Sequence, residues 1–585
     1  MTATSEHMKG QERLIELFQA EDVKVISGIV DVHFMHFHQR AVAAGMRMVG
    51  THHETASANM AEAASRMSGR PQVCMAAYGP GVANLVGGVV TAQQESVPMI
   101  ILATQRSKNC QAAVRNGIYQ FWDQMAVFKN ITKHQEVVNT LDRLDEAVRQ
   151  CFRAATTGTP GPVYLEVNID VMWGAMEFPP ALAPAEYRTA EPQQAADTQL
   201  AQAVKLLGQA KFPVILAGQG VHTARGHEEL EALARTLKCA VIPTFGAKGV
   251  LPETDPQTLI FGFEGSLEAC AEADVVLAVG TSIGEPVFFG EAPRWGEPGV
   301  QRWIHVERNA NRLHTNRFAD CPVVGDLKAV LPSLTAGLSA RGEQAERPRL
   351  VELKQKQVAW RKALGERSKD VVPMDPGFAF QELRKAVPNE AILVRDGGCT
   401  AIWELMLFEQ RSRDFLASAH IAQLGCGLPY ANGAQLIVGN DRTVLLITGD
   451  GAVGFQWMEF ETAVREGLPI IVVVNCDSCW GMELMDFYEG EGSEENCPGV
   501  MMAPVRYDLM AQAIGGHGEY VERAGDIAAA VERAMTSGRA SVIQLMTDFN
   551  INANTVEMPE LAQVLTFYNL DGAQGYGHFE DLQKS

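Results

Sequence analysis

The sequence predicts an α/β protein built as three doubly wound domains in series, each around a parallel sheet. Two observations carry that expectation. Short runs rich in Val, Ile and Leu recur, each ending in Gly, Asp or Thr and followed by a helix-like stretch, the pattern of strands buried on both faces in α/β units. The chain also has 585 residues, well beyond what one core supports, so a prior of roughly three to four domains follows from ordinary domain size.

The runs fall into three sets. The first is Val25 to Val30, Val73 to Tyr78, Met99 to Gln105 and Val163 to Asp170. The second is Pro213 to Gly218, Ala240 to Phe245, Val275 to Gly280 and Trp303 to Arg308, closing near Val324-Gly325-Asp326. The third is Ala391 to Asp396, Thr443 to Gly451, Ile470 to Asp477 and Ser541 to Asp548. Glu177 to Gln194, rich in Pro and Ala, and the charged stretch Ala340 to Lys369 read as linkers. The domains then span residues 1–180, 195–340 and 370–550. Residues 551–585 are polar, with Gly and aromatics but no clear period, and read as a tail or lid, a disordered end being the alternative.

A formal net charge of -21 argues against binding a nucleic-acid backbone, which needs clustered Lys and Arg. Met1 to Gly10 lacks the apolar stretch of a signal peptide and no apolar run approaches a bilayer's thickness, so neither a membrane partner nor export is expected and the location reads as cytoplasmic. The 11 Cys are scattered and read as reduced, mostly buried thiols; the odd count requires at least one to be free.

The third set carries the chemistry. Leu445-Leu446-Ile447-Thr448 runs into Gly449-Asp450-Gly451-Ala452, placing a carboxylate at the ligand-binding end of a parallel strand. One strand later, Ile471-Val472-Val473-Val474 runs into Asn475-Cys476-Asp477-Ser478-Cys479 and places a second carboxylate at the same edge. Two hard oxygen ligands on adjacent strand ends suit Mg²⁺. A Gly-Asp-Gly turn alone fits a plain strand-to-helix connection equally well, and the second carboxylate tips the reading. Cys476-Asp477-Ser478-Cys479 is also a Cys-x-x-Cys, open to a redox role or half a zinc site, although no second Cys pair has matching spacing. Asp396-Gly397-Gly398-Cys399-Thr400, after another strand, is a Gly-rich turn of the kind that lets backbone N–H groups approach a phosphate.

These turns resemble those of thiamine diphosphate enzymes of the acetohydroxyacid synthase and pyruvate oxidase superfamily, whose pattern is Gly-Asp-Gly followed one βα unit later by Asn-Asn. The resemblance runs from about Leu14 to Asp548. It implies a metal held by Asp450, Asp477 and the carbonyl of Cys479, and a diphosphate contacted by Cys399, Thr400, Gly451 and Ala452. Cys476-Asp477 departs from Asn-Asn; an Asp ligates as well as an Asn, but its charge alters affinity for the diphosphate. Thr51-His52-His53-Glu54-Thr55-Ala56 follows a strand, opens a small-residue helix from Ser57 to Met67 and matches the family's His-Glu segment. The resemblance makes Glu54 the carboxyl that protonates N1′ of the pyrimidine, after which the cofactor's 4′-imino group takes the C2 proton. A helix cap is the alternative for Glu54. Ala422 to Pro429 resembles the wedge segment, with Leu424 beneath the two rings and the Ala422 carbonyl near the 4′-amino group; a core Leu is the alternative. The two halves of the cofactor come from different subunits in this family, which implies a homodimer or homotetramer with the active site at the interface.

The reaction is read from fewer residues. His33, in Val32-His33-Phe34-Met35-His36-Phe37-His38, sits where benzaldehyde lyase and cyclohexane-1,2-dione hydrolase carry a polar His, and Gln120 matches a glutamine that several members point at substrate. Three His in one segment fit a helix lining or an interface equally well. Asp450 to Gly481, Arg506-Tyr507-Asp508 and Gly515 to Glu519 look closest to 2-hydroxyacyl-CoA lyases and oxalyl-CoA decarboxylase, while Asp486 stands where true synthases place a substrate-selecting Trp. Gly218-Gln219-Gly220 leaves the central domain open to FAD, the ADP part of CoA, or neither. Glu494 and Glu495 read as part of a lid or as acidic surface loop. The expected activity is a lyase or carboligase on a small 2-hydroxy carbonyl compound, of 2-hydroxyacyl-CoA or 2-hydroxyketone type, through a C2 carbanion and an enamine. The rivals are a 2-oxo acid decarboxylase or acetolactate synthase-like transferase, a 1,2-dione hydrolase, and an idle binding or regulatory paralogue, against which the presence of Glu54 speaks.

Overall fold

The computed structural model describes residues 7–111, 116–189, 191–263, 265–484 and 498–551. Three parallel sheets follow one another along the chain, as expected. The first has six strands in the order Arg47–Gly50, Val25–Gly28, Gln72–Ala76, Met99–Gln105, Pro162–Asn168, His134–Val138. The central sheet has five, ordered Ala240–Pro243, Pro213–Ala217, Val275–Val279, Arg302–Glu307, Cys321–Val324. The third has six: Phe415–Ala417, Ile392–Arg395, Val444–Gly449, Ile471–Cys476, Ser541–Met546, His517–Val521.

Every inner strand is one of the apolar runs, because covering by helices on both faces demands apolar side chains on both. The edges of the six-stranded sheets escape that rule. His134–Val138 and His517–Val521 each bury only their last residue, so neither shows an apolar run. Phe415–Ala417 is buried but only three residues long.

Two readings are corrected. The stretch Ala340 to Lys369 is not a plain linker, since Pro348–Arg367 is a 20-residue α-helix with Pro in its first turn. Glu352, Lys356, Lys362, Glu366 and Arg367 are exposed while Leu350, Leu353, Trp360 and Leu364 are buried, and the Trp360 ring stands 4.4 Å from that of Phe263. The small-residue helix begins at Glu54 and runs to Ser68, three residues earlier than its apolar spacing indicates.

That helix holds the first and third domains together. It packs along Gly427–Val438, where a side chain at Gly433 would meet the Met60 carbonyl at 2.3 Å. Beside this contact a buried ion cluster joins Arg66 to Glu62 at 2.7 Å and to Glu95 at 3.4 Å, and Glu95 to His420 at 3.1 Å. Among the described residues, no helix is long and apolar enough to cross a membrane.

Candidate functional site

The strand Val444–Gly449 ends at the start of the short helix Asp450–Gly454, so Asp450 stands at the carboxyl edge of the third sheet. Its Oδ1 accepts the Gly451 amide at 2.8 Å and its Oδ2 the Ser478 amide at 2.8 Å. Tyr507 donates its hydroxyl to the Asp450 carbonyl at 2.9 Å. On the next strand end Asp477 accepts the Cys479 amide at 3.2 Å, across a left-handed Ser478 at φ 59. Burial and then the charge of Asp477 push the Asp450 carboxyl up to about 7, and burial pushes Asp477 up as well. Two enclosed carboxylates whose charges oppose each other form a donor set that a divalent cation completes. Among the described residues no three His, Cys, Asp or Glu side chains converge on one point, so an ion here draws on backbone, phosphate or water oxygen besides the two carboxylates.

Cys476 and Cys479 are both free and buried. Burial, reinforced by neighbouring carboxylates, pushes both thiols up, the reverse of what a thiolate-based redox pair needs.

A cleft of about 640 Å³ opens over this edge, and all nine residues expected to hold cofactor or metal on this domain line it. The helix Cys399–Leu407 starts at its wall. Asn475 donates Nδ2 to the Thr400 hydroxyl at 3.4 Å and keeps its buried Oδ1 without a hydrogen-bond partner. Leu424 is half-buried in the cleft wall, on a loop where Ala422 takes φ 51.

The residue that shapes this loop was not singled out by sequence. Asp396 accepts the amide of Gly397 through Oδ1 at 2.7 Å, and those of Gly425 and Gly427 through Oδ2 at 3.0 and 2.9 Å. One carboxylate thus ties the Gly397–Thr400 turn to the loop bearing Leu424. Burial pushes Asp396 up to about 6 against the pull of those three amides. Its position as the last residue before Gly397-Gly398 was the available signal.

On the first domain, Glu54 is the opening residue of its helix, and the cap is His53, whose Nδ1 accepts the Thr55 amide at 3.1 Å. Glu54 is therefore free of the capping duty and accepts Asn84 Nδ2 at 3.0 Å. The turn from Tyr78 to Gly81 gathers the three residues expected near the reaction. The His33 ring lies 5.1 Å from that of Tyr78. A side chain at Gly79 would strike Gln120 Cβ at 2.7 Å, and one at Gly81 would come within 3.0 Å of Glu54 Oε1. His33 pairs through Nδ1 with Asp31. The other two His of that segment do line a helix: His36 packs on Trp173 at 5.3 Å, and His38 is largely enclosed, its pKa lowered by burial. The cleft's described lining comes from the third domain and from Phe245, Glu285 and Pro286 of the central one; no described first-domain residue lines it.

In the central domain a side chain at Gly218 would meet the Gly280 carbonyl at 2.2 Å, and one at Gly220 the Gly280 Cα at 2.7 Å. Contact of turn with turn accounts for these glycines, which carry no argument for FAD or CoA. Asp486, Glu494, Glu495 and residues 552–585 lie outside the described residues.

Three family models match in chain order: the thiamine pyrophosphate enzyme N-terminal TPP binding domain over residues 8–127, the central domain over 200–334 and the C-terminal TPP binding domain over 396–545. The chain belongs to the thiamine pyrophosphate enzymes. It is 30% identical to a probable acetolactate synthase large subunit of Methanocaldococcus jannaschii, over 83% of this chain and 84% of that one. A sulfoacetaldehyde acetyltransferase of Castellaniella defragrans is 27% identical over 92% of this chain and 93% of its own. An acetolactate synthase large subunit of Corynebacterium glutamicum is 25% identical over 100% and 93%. This thiamine pyrophosphate enzyme thus has relatives named as synthases and acetyltransferases along nearly its full length.

Proposed function

We propose that this enzyme breaks or makes the carbon–carbon bond beside the carbonyl of a small 2-hydroxy carbonyl compound, with thiamine diphosphate held through Mg²⁺ in the cleft of its third domain. The observation that carries the reading is the Tyr78-to-Gly81 turn, which brings the carboxylate-backed imidazole of His33 into the same neighbourhood as Glu54 and Gln120. When bound, thiamine diphosphate supplies a nucleophilic carbon for addition to a carbonyl.

The chain's own residues do the rest. Asp450, Asp477 and the Cys479 carbonyl take the metal, and the turns at Cys399-Thr400 and Gly451-Ala452 offer amides to the diphosphate. Leu424 and the Ala422 carbonyl set the rings, and Glu54 holds a proton for the pyrimidine N1′. With Nδ1 of His33 engaged by Asp31, Nε2 is the atom that takes the hydroxyl proton of a 2-hydroxy carbonyl substrate, and Gln120 positions the carbonyl. Because no described first-domain residue lines the cleft, we assign Glu54 and His33 to the cleft of a second copy, which makes a homodimer the smallest active unit. A cytoplasmic setting is part of the same reading.

A second reading, acetyl transfer from a 2-oxo acid as in acetolactate formation, is favoured by the names of the relatives. Incubation with pyruvate and, separately, with a 2-hydroxyketone separates the two. Aldehyde release from the hydroxyketone without CO₂ from pyruvate supports the lyase; CO₂ with acetolactate supports the transferase; neither, from cofactor-loaded protein, overturns both.

A further inference from the structure

We propose that Arg106 anchors a small oxyanion, a carboxylate or sulfonate carried by the substrate. Arg106 directly follows the strand Met99–Gln105, at the same carboxyl edge of the first sheet as His33 and Glu54. Its main chain is fixed at both ends. The amide donates to Gln105 Oε1 at 2.8 Å, and the carbonyl accepts Asn168 Nδ2 at 2.8 Å and the side-chain amide of Gln111. Its side chain is held as firmly, with Nη1 donating to the Tyr78 hydroxyl at 2.9 Å and the guanidinium carbon 5.4 Å from the ring centroid.

Among the described residues, this guanidinium meets no carboxylate. Nε is enclosed and has no hydrogen-bond partner, and the contact of Nη2 is an approach to Cys110 Sγ at 3.8 Å. The carboxylates of adjoining loops are engaged elsewhere. Asp31 is taken by His33, and Asp170 accepts the Ser107 hydroxyl at 2.9 Å and the Lys108 amide at 3.0 Å. The two buried arginines among this domain's described residues are compensated: Arg13 pairs with Asp145 and Arg66 with Glu62. A guanidinium fixed in place and without a carboxylate among the described residues presents a planar fork of donors that matches the oxygens of a carboxylate or sulfonate.

Tyr78 fixes where that anion sits relative to the reaction. Its ring is shared, with His33 at 5.1 Å and Arg106 on its hydroxyl, so charge recognition and proton transfer lie one aromatic side chain apart. That separation fits a compact substrate, a short 2-oxo or 2-hydroxy acid or its sulfonate counterpart, in preference to a neutral hydroxyketone or a thioester of a large carrier. The inference rests on the reading that this sheet edge faces the cofactor.

The test uses the cofactor-loaded enzyme. In Arg106→Gln the ratio of kcat/KM for 2-acetolactate, an anionic 2-hydroxyketone, to kcat/KM for acetoin, its neutral counterpart, falls at least about tenfold, as loss of a charged hydrogen bond requires, and Arg106→Lys recovers part of it. An unchanged ratio overturns the anchor. A second arm needs no turnover: mass spectrometry follows phenylglyoxal modification of Arg106 with and without pyruvate or sulfoacetate. If neither kinetic substrate reacts, protection in this arm keeps the anchor while the proposed reaction falls, and absence of protection by either anion overturns the anchor.

Discussion

Asp450 is fastened to the loop of its neighbour, its Oδ2 accepting the backbone N–H of Ser478 at 2.8 Å, one residue beyond Asp477. The same carboxylate that faces the cleft therefore also sets the height of the second one. Asp450→Ala removes a ligand and that tether together, and we expect metal-dependent binding of thiamine diphosphate to disappear. Calorimetry with Mg²⁺ and the cofactor reads this directly, and a wild-type isotherm would remove the metal site from Asp450.

Asp477 gives a finer test, because the family pattern has Asn in its place. Asp477→Asn keeps an oxygen ligand while removing one of two opposed charges. Affinity for Mg²⁺ without cofactor is expected to fall at least about tenfold, since a pair of unit charges ~4 Å apart is worth from ~1 kcal/mol in water to ~4 kcal/mol near a protein surface. The metal–cofactor complex is still expected to bind. An unchanged Mg²⁺ dissociation constant would mean that the charge of Asp477 takes no part.

Glu54 has no capping role to lose, since His53 supplies the cap. Glu54→Gln keeps the shape and the bond from Asn84 but removes the transferable proton. Cofactor affinity should stay within an order of magnitude while exchange of the thiazolium C2 proton for deuterium slows by about 10²-fold or more, the usual weight of a positioned acid or base. Exchange at the wild-type rate, followed by NMR after acid quench, would take Glu54 out of the mechanism.

Glu62 predicts a pH dependence of stability. Burial, with the charge of Glu95 adding to it, pushes its carboxyl from 4.5 up to about 7, although Arg66 donates to it at 2.7 Å and pulls the other way. Between those values the folded chain keeps a proton that the unfolded chain has released, so this group's contribution is full below pH ~4.5 and lost as pH rises through ~7. Relative to Glu62→Gln, the wild type should lose of the order of 2 kcal/mol between pH 5 and pH 7.5. Parallel thermal-unfolding profiles of the two proteins would place that proton elsewhere.

The fold was legible wherever burial is two-sided. Val472 and Val473, on an inner strand, must be apolar on both faces, whereas Glu136 and Glu519 lie on edge strands that meet solvent and leave no run to read. The helix around Trp360 was hidden because most of its surface is charged and only a narrow stripe docks. At the site, residues that present a carboxylate at a strand end were visible from spacing. Asp396 was not, because its importance lies in amides of Gly425 and Gly427, 29 and 31 residues further along the chain, which only the folded loop brings to it.

The division of the site between chains makes the last prediction the most direct. The described cleft contains Asp450 and Asp477 and no described first-domain residue lines it, while Glu54 and His33 cluster on the Tyr78-to-Gly81 turn. If a facing copy supplies them, Glu54→Gln and Asp450→Ala each abolish activity alone but damage opposite halves of the site. In a mixed dimer, Glu54 of the Asp450→Ala chain meets Asp450 of the Glu54→Gln chain and rebuilds one intact site of two. Random exchange makes half the dimers mixed, so subunit exchange should restore about a quarter of wild-type activity from two inactive proteins, as two-fold symmetry requires. Activity that stays at background after exchange, verified by native mass spectrometry of differently tagged chains, would mean that both halves of the site belong to one chain.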